Sequence, residues 1–128
     1  MARKRSLQLT EAELRLMNVL WDRGRATVSE VLENLPGKPA LAYSTVITTL
    51  RILETKGYVR HIKDGRAFHY EPLVARQEAR RNALQQLTRG FFDGSRELLV
   101  ASLFESGDVD RRELQRLRKL IEKAEKGL

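Results

Sequence analysis

The stretch YSTVITTLR, residues 43–51, decides the fold of this chain, because it must form either a strand or a helix. Its four consecutive β-branched residues, Val46 to Thr49, favour a strand, since such side chains lose freedom in a helix. Val46, Leu50 and Leu53 nevertheless recur at the i, i+4, i+7 spacing of a buried helical face, and alternation breaks after Leu50. The sequence therefore predicts a helix that carries β-branched side chains on its outer face.

Capping patterns predict where this helix and two earlier ones begin and end. Ser44 is the predicted N-cap of the central helix, and Gly57 is its predicted stop. Two capping boxes, each a threonine followed three residues later by a glutamate, predict the starts of two earlier helices, at Thr10 with Glu13 and at Thr27 with Glu30. The sequence thus predicts three helices in the first half of the chain.

A β-hairpin is predicted after the third helix. Asp64-Gly65 is a strong signal for a two-residue hairpin loop, and aromatic and β-branched residues flank it. With that loop, His61 faces Phe68 and His69 faces Arg60, so the two histidines lie on opposite faces of the hairpin. We therefore expect no shared metal ion between them.

The order of these elements, three helices and then a hairpin, predicts a winged helix-turn-helix. The predicted fold class is mostly α with a small β-hairpin. The outer face of the third helix is expected to enter the major groove, where hydroxyls and methyl groups can read base edges. The wing cations are expected at the phosphate backbone. The candidate DNA-binding residues are Tyr43, Ser44, Thr45, Ile47, Thr48 and Arg51 on the helix, with Lys63 and Arg66 on the wing. The alternative is a helix whose polar face is merely solvated.

The second half of the chain is predicted to be helical, with one helix at residues 75–89 and further helices capped by Ser95 and Asp110. Its apolar residues are too many for three short helices to bury. We therefore expect a winged domain at residues 1–74 and a helical dimerisation domain at residues 75–128. The candidate dimerisation residues are Leu98, Leu99, Leu103, Phe104, Leu114, Leu117, Leu120 and Ile121.

Composition limits the class of protein. The 128 residues carry a formal net charge of +7, which is compatible with a polyanionic partner such as DNA. The chain contains no cysteine, so disulfides and thiolate chemistry are excluded and a cytoplasmic setting is expected. No apolar run is long enough for membrane insertion, and no catalytic constellation, metal site or cofactor motif stands out. Trp21, the single tryptophan, follows Met17 and Leu20 at helical spacing and is expected in the core rather than stacked on DNA.

The chain contains, in this order, the segments LTEAELRLMNVLWDRG, TVSEVLENL, LAYSTVITTLRILETKGYV, KDGRAFHYEPL and FFDGSRELLVASLFESGDVDRRELQRLRKLIEK. Together they resemble the penicillinase-repressor family of the BlaI/MecI type, the last segment more weakly than the others. The resemblance implies a dimeric winged-helix repressor that binds a palindromic operator, usually of β-lactamase or similar resistance genes. Within it, Ser44, Thr45, Thr48 and Arg51 match the recognition-helix pattern, and Gly65-Arg66 match the wing.

The resemblance also implies a membrane sensor-protease, or another antirepressor, as a partner. By spacing, the family's scissile Asn–Phe pair falls near Ser102-Leu103, where this sequence lacks that motif. A copper-responsive branch carries a cysteine-rich tail, and the absence of cysteine excludes that route. Two other functions stay open, namely a winged-helix protein-interaction module and a DNA binder without sequence preference.

Overall fold

The computed structural model describes residues 8–37 and 41–128. These residues form six helices and a small antiparallel sheet. In chain order the elements are α1 (Glu11–Arg23), β1 (Ala26–Thr27), α2 (Val28–Asn34), α3 (Tyr43–Lys56), β2 (Val59–Asp64), β3 (Ala67–Pro72), α4 (Arg76–Phe91), α5 (Arg96–Glu105) and α6 (Arg111–Lys126). The winged helix-turn-helix order predicted from the sequence is confirmed.

The β-branched stretch is helical throughout, within α3. Val46, Leu50 and Leu53 are fully buried, and the side chain of Thr49 is buried with them. The Thr49 hydroxyl donates to the carbonyl of Thr45 at 2.7 Å, which satisfies its polar group inside the core. The β-branching therefore serves core packing at Val46 and Thr49.

The sheet has three strands in the order β1-β3-β2, and its first strand was not predicted. Ala26 pairs with Tyr70, and Thr27 pairs with His69. A strand of two residues offers no alternation that a sequence pattern can reveal. This short strand joins the wing to the segment between α1 and α2.

The register of the wing differs by two residues from the predicted one, because the loop is Gly65-Arg66 and not Asp64-Gly65. His61 pairs with Tyr70, and Asp64 pairs with Ala67. Gly65 has a φ of 64° and Arg66 keeps a negative φ, which is the sign pattern of a type II′ turn with glycine first. This loop spares Asp64 the unfavourable positive φ that the predicted one required. A shift of two residues keeps every side chain on its face, so the two histidines do lie on opposite faces.

The capping predictions are confirmed for two of the three helices of the winged part. Both threonine–glutamate capping boxes are complete, at the starts of α1 and α2. Gly57 ends α3 in the left-handed conformation, as expected. The prediction that Ser44 is the N-cap of α3 is wrong, since Ala42 takes that position and makes no side-chain capping hydrogen bond.

The chain divides into two compact units, the first ending at Gln86 and the second running from Leu87 to Leu128. The core of the first unit contains Leu16, Met17, Leu20, Val31, Val46, Leu50, Leu53, Tyr58, Val59 and Tyr70. Ala79, in the second turn of α4, is buried with it. The domain boundary between residues 74 and 75 stays a prediction.

The second unit contains the end of α4, then α5 and α6. The helix predicted at residues 75–89 is present as α4, which starts one residue later and continues two residues farther, to Phe91, so that Gly90 lies inside it. Amides of Phe92 and Gly94 donate to the carbonyl of Thr88 and close the helix end. Ser95 and Asp110 cap α5 and α6 as predicted. In the part of the chain that is described, no helix is both long and apolar enough to span a bilayer.

Candidate DNA-binding surface

The exposed face of α3 lies opposite its buried face. Ser44, Thr48 and Arg51 follow each other at helical spacing at the centre of this face, and all three are exposed. Thr45 is exposed beside them, and Tyr43 is exposed at the start of the helix. Five of the six predicted residues of this helix therefore present side chains to solvent.

Ile47 is the exception, because its side chain is half-buried. The corrected position of Ser44 also bears on the surface. Ser44 is the second residue of α3 and not its N-cap, so its hydroxyl does not accept the hydrogen bond that caps a helix. Its hydroxyl therefore stays on the exposed face, next to that of Thr48.

One face of the wing packs against the core at its base and is exposed to solvent toward its tip. Val59 and Tyr70 cover the core at the base of the wing, and farther along the same face lie His61, Lys63 and Phe68. Phe68 is about half exposed, at 48%, which is unusual for a large aromatic side chain. Arg66 is exposed in the loop at the tip.

A direct contact joins α3 to the wing. The Nδ1 atom of His61 lies 2.6 Å from Oε2 of Glu54, which is one turn beyond Arg51. The His61 ring also meets the Phe68 ring edge-on, with 5.3 Å between centroids. Burial raises the pKa of the Tyr70 hydroxyl, and the Glu54 carboxylate of α3 raises it further. The wing and the exposed face of α3 are thus held together as one surface.

The cations of this surface divide into paired and unpaired groups. Lys56 pairs with Glu13, Arg60 pairs with Glu71, and Arg25 approaches Asp64 at 3.8 Å. Among the residues described, Arg51, Lys63 and Arg66 form no ion pair with an acidic side chain. The three cations predicted to meet DNA are those left available for an external anion, and the sequence alone did not indicate this division.

Four residues near the surface were missed by the sequence analysis. His61 and Glu54 link the wing to α3, and Phe68 is exposed beside them. Arg25 faces the only acidic residue at the wing tip, Asp64. Its role follows from the unpredicted strand β1, which brings residues 25–27 next to the wing.

The predicted dimerisation residues lie on α5 and α6, which contain no buried residue within the single chain. Leu99 and Leu117 are half-buried. The others are exposed, namely Leu98, Leu103, Phe104, Leu114, Leu120 and Ile121. Within residues 8–37 and 41–128, no three His, Cys, Asp or Glu side chains gather as metal ligands would.

Three helices, a wing and an exposed, partly cationic face on the third helix define a winged-helix DNA-binding protein. A sequence profile of the penicillinase repressor family matches residues 9–123. The chain belongs to that family of DNA-binding transcriptional repressors, so it is a regulator and not an enzyme.

Individual relatives agree with this assignment. The chain is 26% identical over 119 residues to the penicillinase repressor of Bacillus licheniformis, covering 93% of each sequence. It is 33% identical over 122 residues to the transcriptional regulator BlaI of Mycobacterium tuberculosis, covering 94% of this chain and 87% of the relative. The solution structure of the DNA-binding domain of the repressor BlaI superposes with a TM-score of 0.52 at 32% identity, covering 59% of this chain and 93% of that one.

Proposed function

We propose that this protein is a homodimeric repressor that binds a palindromic operator. The observation that carries the proposal is the exposed stripe of Ser44, Thr48 and Arg51 on α3, together with Lys63 and Arg66 on the wing, which form no ion pair with any acidic side chain of the described residues. The stripe offers two hydroxyls and one guanidinium to base edges, while the wing cations meet phosphates. Sequence-specific binding requires both kinds of contact, those that read bases and those that position the protein on the phosphate backbone.

The homodimer is supported by the second unit. A set of leucine, isoleucine and phenylalanine side chains on α5 and α6 is exposed in the single chain. Fully burying each one contributes roughly 1.5–3 kcal/mol. A two-fold symmetric interface buries the same surface of both copies and matches the symmetry of a palindrome. The second copy of this chain is therefore the proposed partner.

We infer that the regulated genes are β-lactamase or related resistance genes, as the relatives' names indicate for those proteins. A membrane sensor-protease or another antirepressor is the inferred antagonist. The pair Ser102-Leu103 lies inside α5, where the Ser102 hydroxyl donates to the carbonyl of Leu98 at 2.9 Å. Cleavage there would first require local unwinding of α5.

Operator binding tests the proposal against its alternatives. The probe is a duplex from the promoter beside the protein's own gene, and the control is a duplex of the same length and composition with scrambled bases, at the same salt concentration. A specific repressor binds the first at least about 1,000-fold more tightly. Equal affinity for both identifies a DNA binder without sequence preference. Binding to neither identifies a protein-interaction module.

A further inference from the structure

The start of α4 is fastened to the end of α1 by a cluster around Trp21. The indole Nε1–H of Trp21 donates to the carbonyl of Val74 at 2.8 Å, two residues before α4 begins. The guanidinium of Arg76 lies over the Trp21 ring, 5.3 Å from its centroid. The same guanidinium donates to the Asp22 carboxylate at 2.8 Å and to the carbonyl of Asn18 at 3.3 Å. Arg76, the first residue of α4, thus contacts three successive positions of one helix face.

Arg76 contributes little to the core itself. Its side chain is 36% exposed and that of Asp22 is 69% exposed. An ion pair this open to solvent adds little to stability. The guanidinium of Arg76 is nevertheless held by a ring, a carboxylate and a carbonyl. Because its donors have a rigid, planar geometry, these contacts constrain the direction of α4 relative to α1. The contacts of Arg76 therefore restrict how α4 leaves the winged domain.

The part of α4 that belongs to the first unit is long enough for a small change in its direction to displace its far end by several ångströms. Residues 76–86 of α4 belong to the first unit. At 1.5 Å per residue they span about 16 Å. A tilt of about 12° would move their far end by about 3.4 Å, which is one base-pair step along DNA.

We propose that Arg76 is a positioning residue for operator binding. Held by Trp21 and Asp22, it fixes the direction of α4 and thereby the distance between the half-sites that the dimer accepts. A dimeric helix-turn-helix protein selects half-sites by the separation of its two recognition helices. The inference rests on the proposed homodimer, since spacing has no meaning for a single winged domain.

The test measures spacing preference separately from DNA contact. Half-sites are mapped by footprinting on the promoter duplex used above. Duplexes are then made with one half-site, with both at natural spacing, and with one or two base pairs added or removed between them. Dissociation constants are measured for wild type, Arg76→Met and Arg81→Met, with dimerisation and thermal unfolding followed in parallel. Arg81→Met removes an exposed cation from the same helix and is the matched control.

Arg76→Met is expected to keep single half-site affinity, dimerisation and melting temperature close to wild type, while its preference for natural spacing over the altered spacings falls at least fivefold. Arg81→Met should keep the wild-type preference. The charge swap Asp22→Arg with Arg76→Asp should restore part of it, because the pair is remade.

An unchanged spacing preference in Arg76→Met overturns the inference. So does a loss of single half-site affinity together with melting temperature, because Arg76 would then be a residue of general stability. A wild-type protein that binds two half-sites no better than one refutes the proposed homodimeric function first, before any variant is compared, and removes this inference with it.

Discussion

Lys56 and Glu13 form an ion pair across the winged domain, with 2.7 Å between Nζ and Oε1. Lys56 ends the recognition helix, and Glu13 belongs to the capping box of α1. The same carboxylate oxygen accepts the backbone amide of Thr10, and Lys56 also donates to the carbonyl of Gln8. The side chain of Glu13 is 5% exposed, so this pair is largely withdrawn from water. It fixes the end of the recognition helix on the start of the first helix.

Breaking that pair should destabilise the fold. Lys56→Met keeps the aliphatic stem and removes the ammonium, so that the Glu13 carboxylate keeps its hydrogen bond from the Thr10 amide but loses its cation. We expect a loss of about 1–3 kcal/mol in the free energy of unfolding, measured by urea denaturation. Arg60→Met, which breaks the more exposed pair with Glu71, should cost under about 1 kcal/mol. Equal losses in the two variants would contradict the role assigned to burial.

The same pair gives a pH dependence of known sign. Burial alone would raise the pKa of Glu13, but hydrogen bonds from Lys56 and Thr10 outweigh it, and the pKa is lowered. The ionised form is therefore favoured in the folded state. Its stabilising contribution is complete above the ordinary glutamate pKa and is lost as the pH falls through the lower folded-state value. In Glu13→Gln, the free energy of unfolding should fall less over that acid range than in wild type.

Thr48 and Arg66 should separate specificity from affinity. Thr48→Ala removes a hydroxyl and a methyl group from the centre of the exposed face of α3, so its preference for operator over random DNA should fall by about 1–3 kcal/mol. Arg66→Ala removes the proposed phosphate contact, so it should weaken binding to every sequence and reduce the log–log salt slope by about one. Titrations on operator and scrambled duplexes at several salt concentrations measure both. Equal losses on the two duplexes for Thr48→Ala would exclude it from base readout.

Dimerisation should depend on the apolar face of α6. Ile121 is 57% exposed in the single chain, so Ile121→Asp should leave the monomer folded while placing a charge in the interface. A central interface residue contributes about 2 kcal/mol or more, which corresponds to an increase of about 30-fold in the dimer dissociation constant. Sedimentation velocity measures that constant.

Gln115→Asp is the matched control for Ile121→Asp. It makes the same change in charge on the opposite, polar side of α6. It should dimerise like wild type, so that only the position of the charge distinguishes the two variants. A wild-type protein that sediments as a monomer at micromolar concentration would count decisively against the interface.

Trp21 should act through the fold and not through DNA. It is partly buried against the core, bonded to Val74 and covered by Arg76. Trp21→Phe loses the donor to the Val74 carbonyl, which should cost about 1 kcal/mol in urea unfolding, while single half-site affinity is kept. Tyr43→Phe, at an exposed position, should unfold like wild type. A Trp21→Phe protein that is equally stable but binds DNA poorly would instead favour stacking of the ring on a base.

The sequence predicted what depends on local pattern. The buried face of α3, both threonine capping boxes and the stop at Gly57 follow from spacing and from single-residue preferences, and all are present. Ser44 was misassigned because serine is favoured at an N-cap, whereas α3 begins one residue earlier, at Tyr43, with Ala42 as its N-cap. The preference of a single residue type therefore did not fix the first residue of this helix.

What the sequence could not reveal depends on contacts between distant residues. The strand β1 exists only because β3 pairs with it. The contact of His61 with Glu54 needs the true register and the packing of α3 against the wing. The pairing of Lys56 joins residues 43 positions apart. No periodicity marks such contacts, so the division between paired and unpaired cations emerged only from the structure.

In the loop at the tip of the wing, one residue determines the backbone conformation and the other carries the charge. Gly65 alone takes the positive φ, and Arg66 keeps an ordinary backbone conformation that nearly any residue can adopt. Replacing Arg66 therefore alters the charge of the tip without refolding the hairpin, whereas replacing Gly65 strains it. A substitution at position 66 would therefore change the proposed contact with operator DNA while the hairpin keeps its structure. In the proposed repressor, the affinity for operator DNA can therefore change through residue 66 while the fold stays the same.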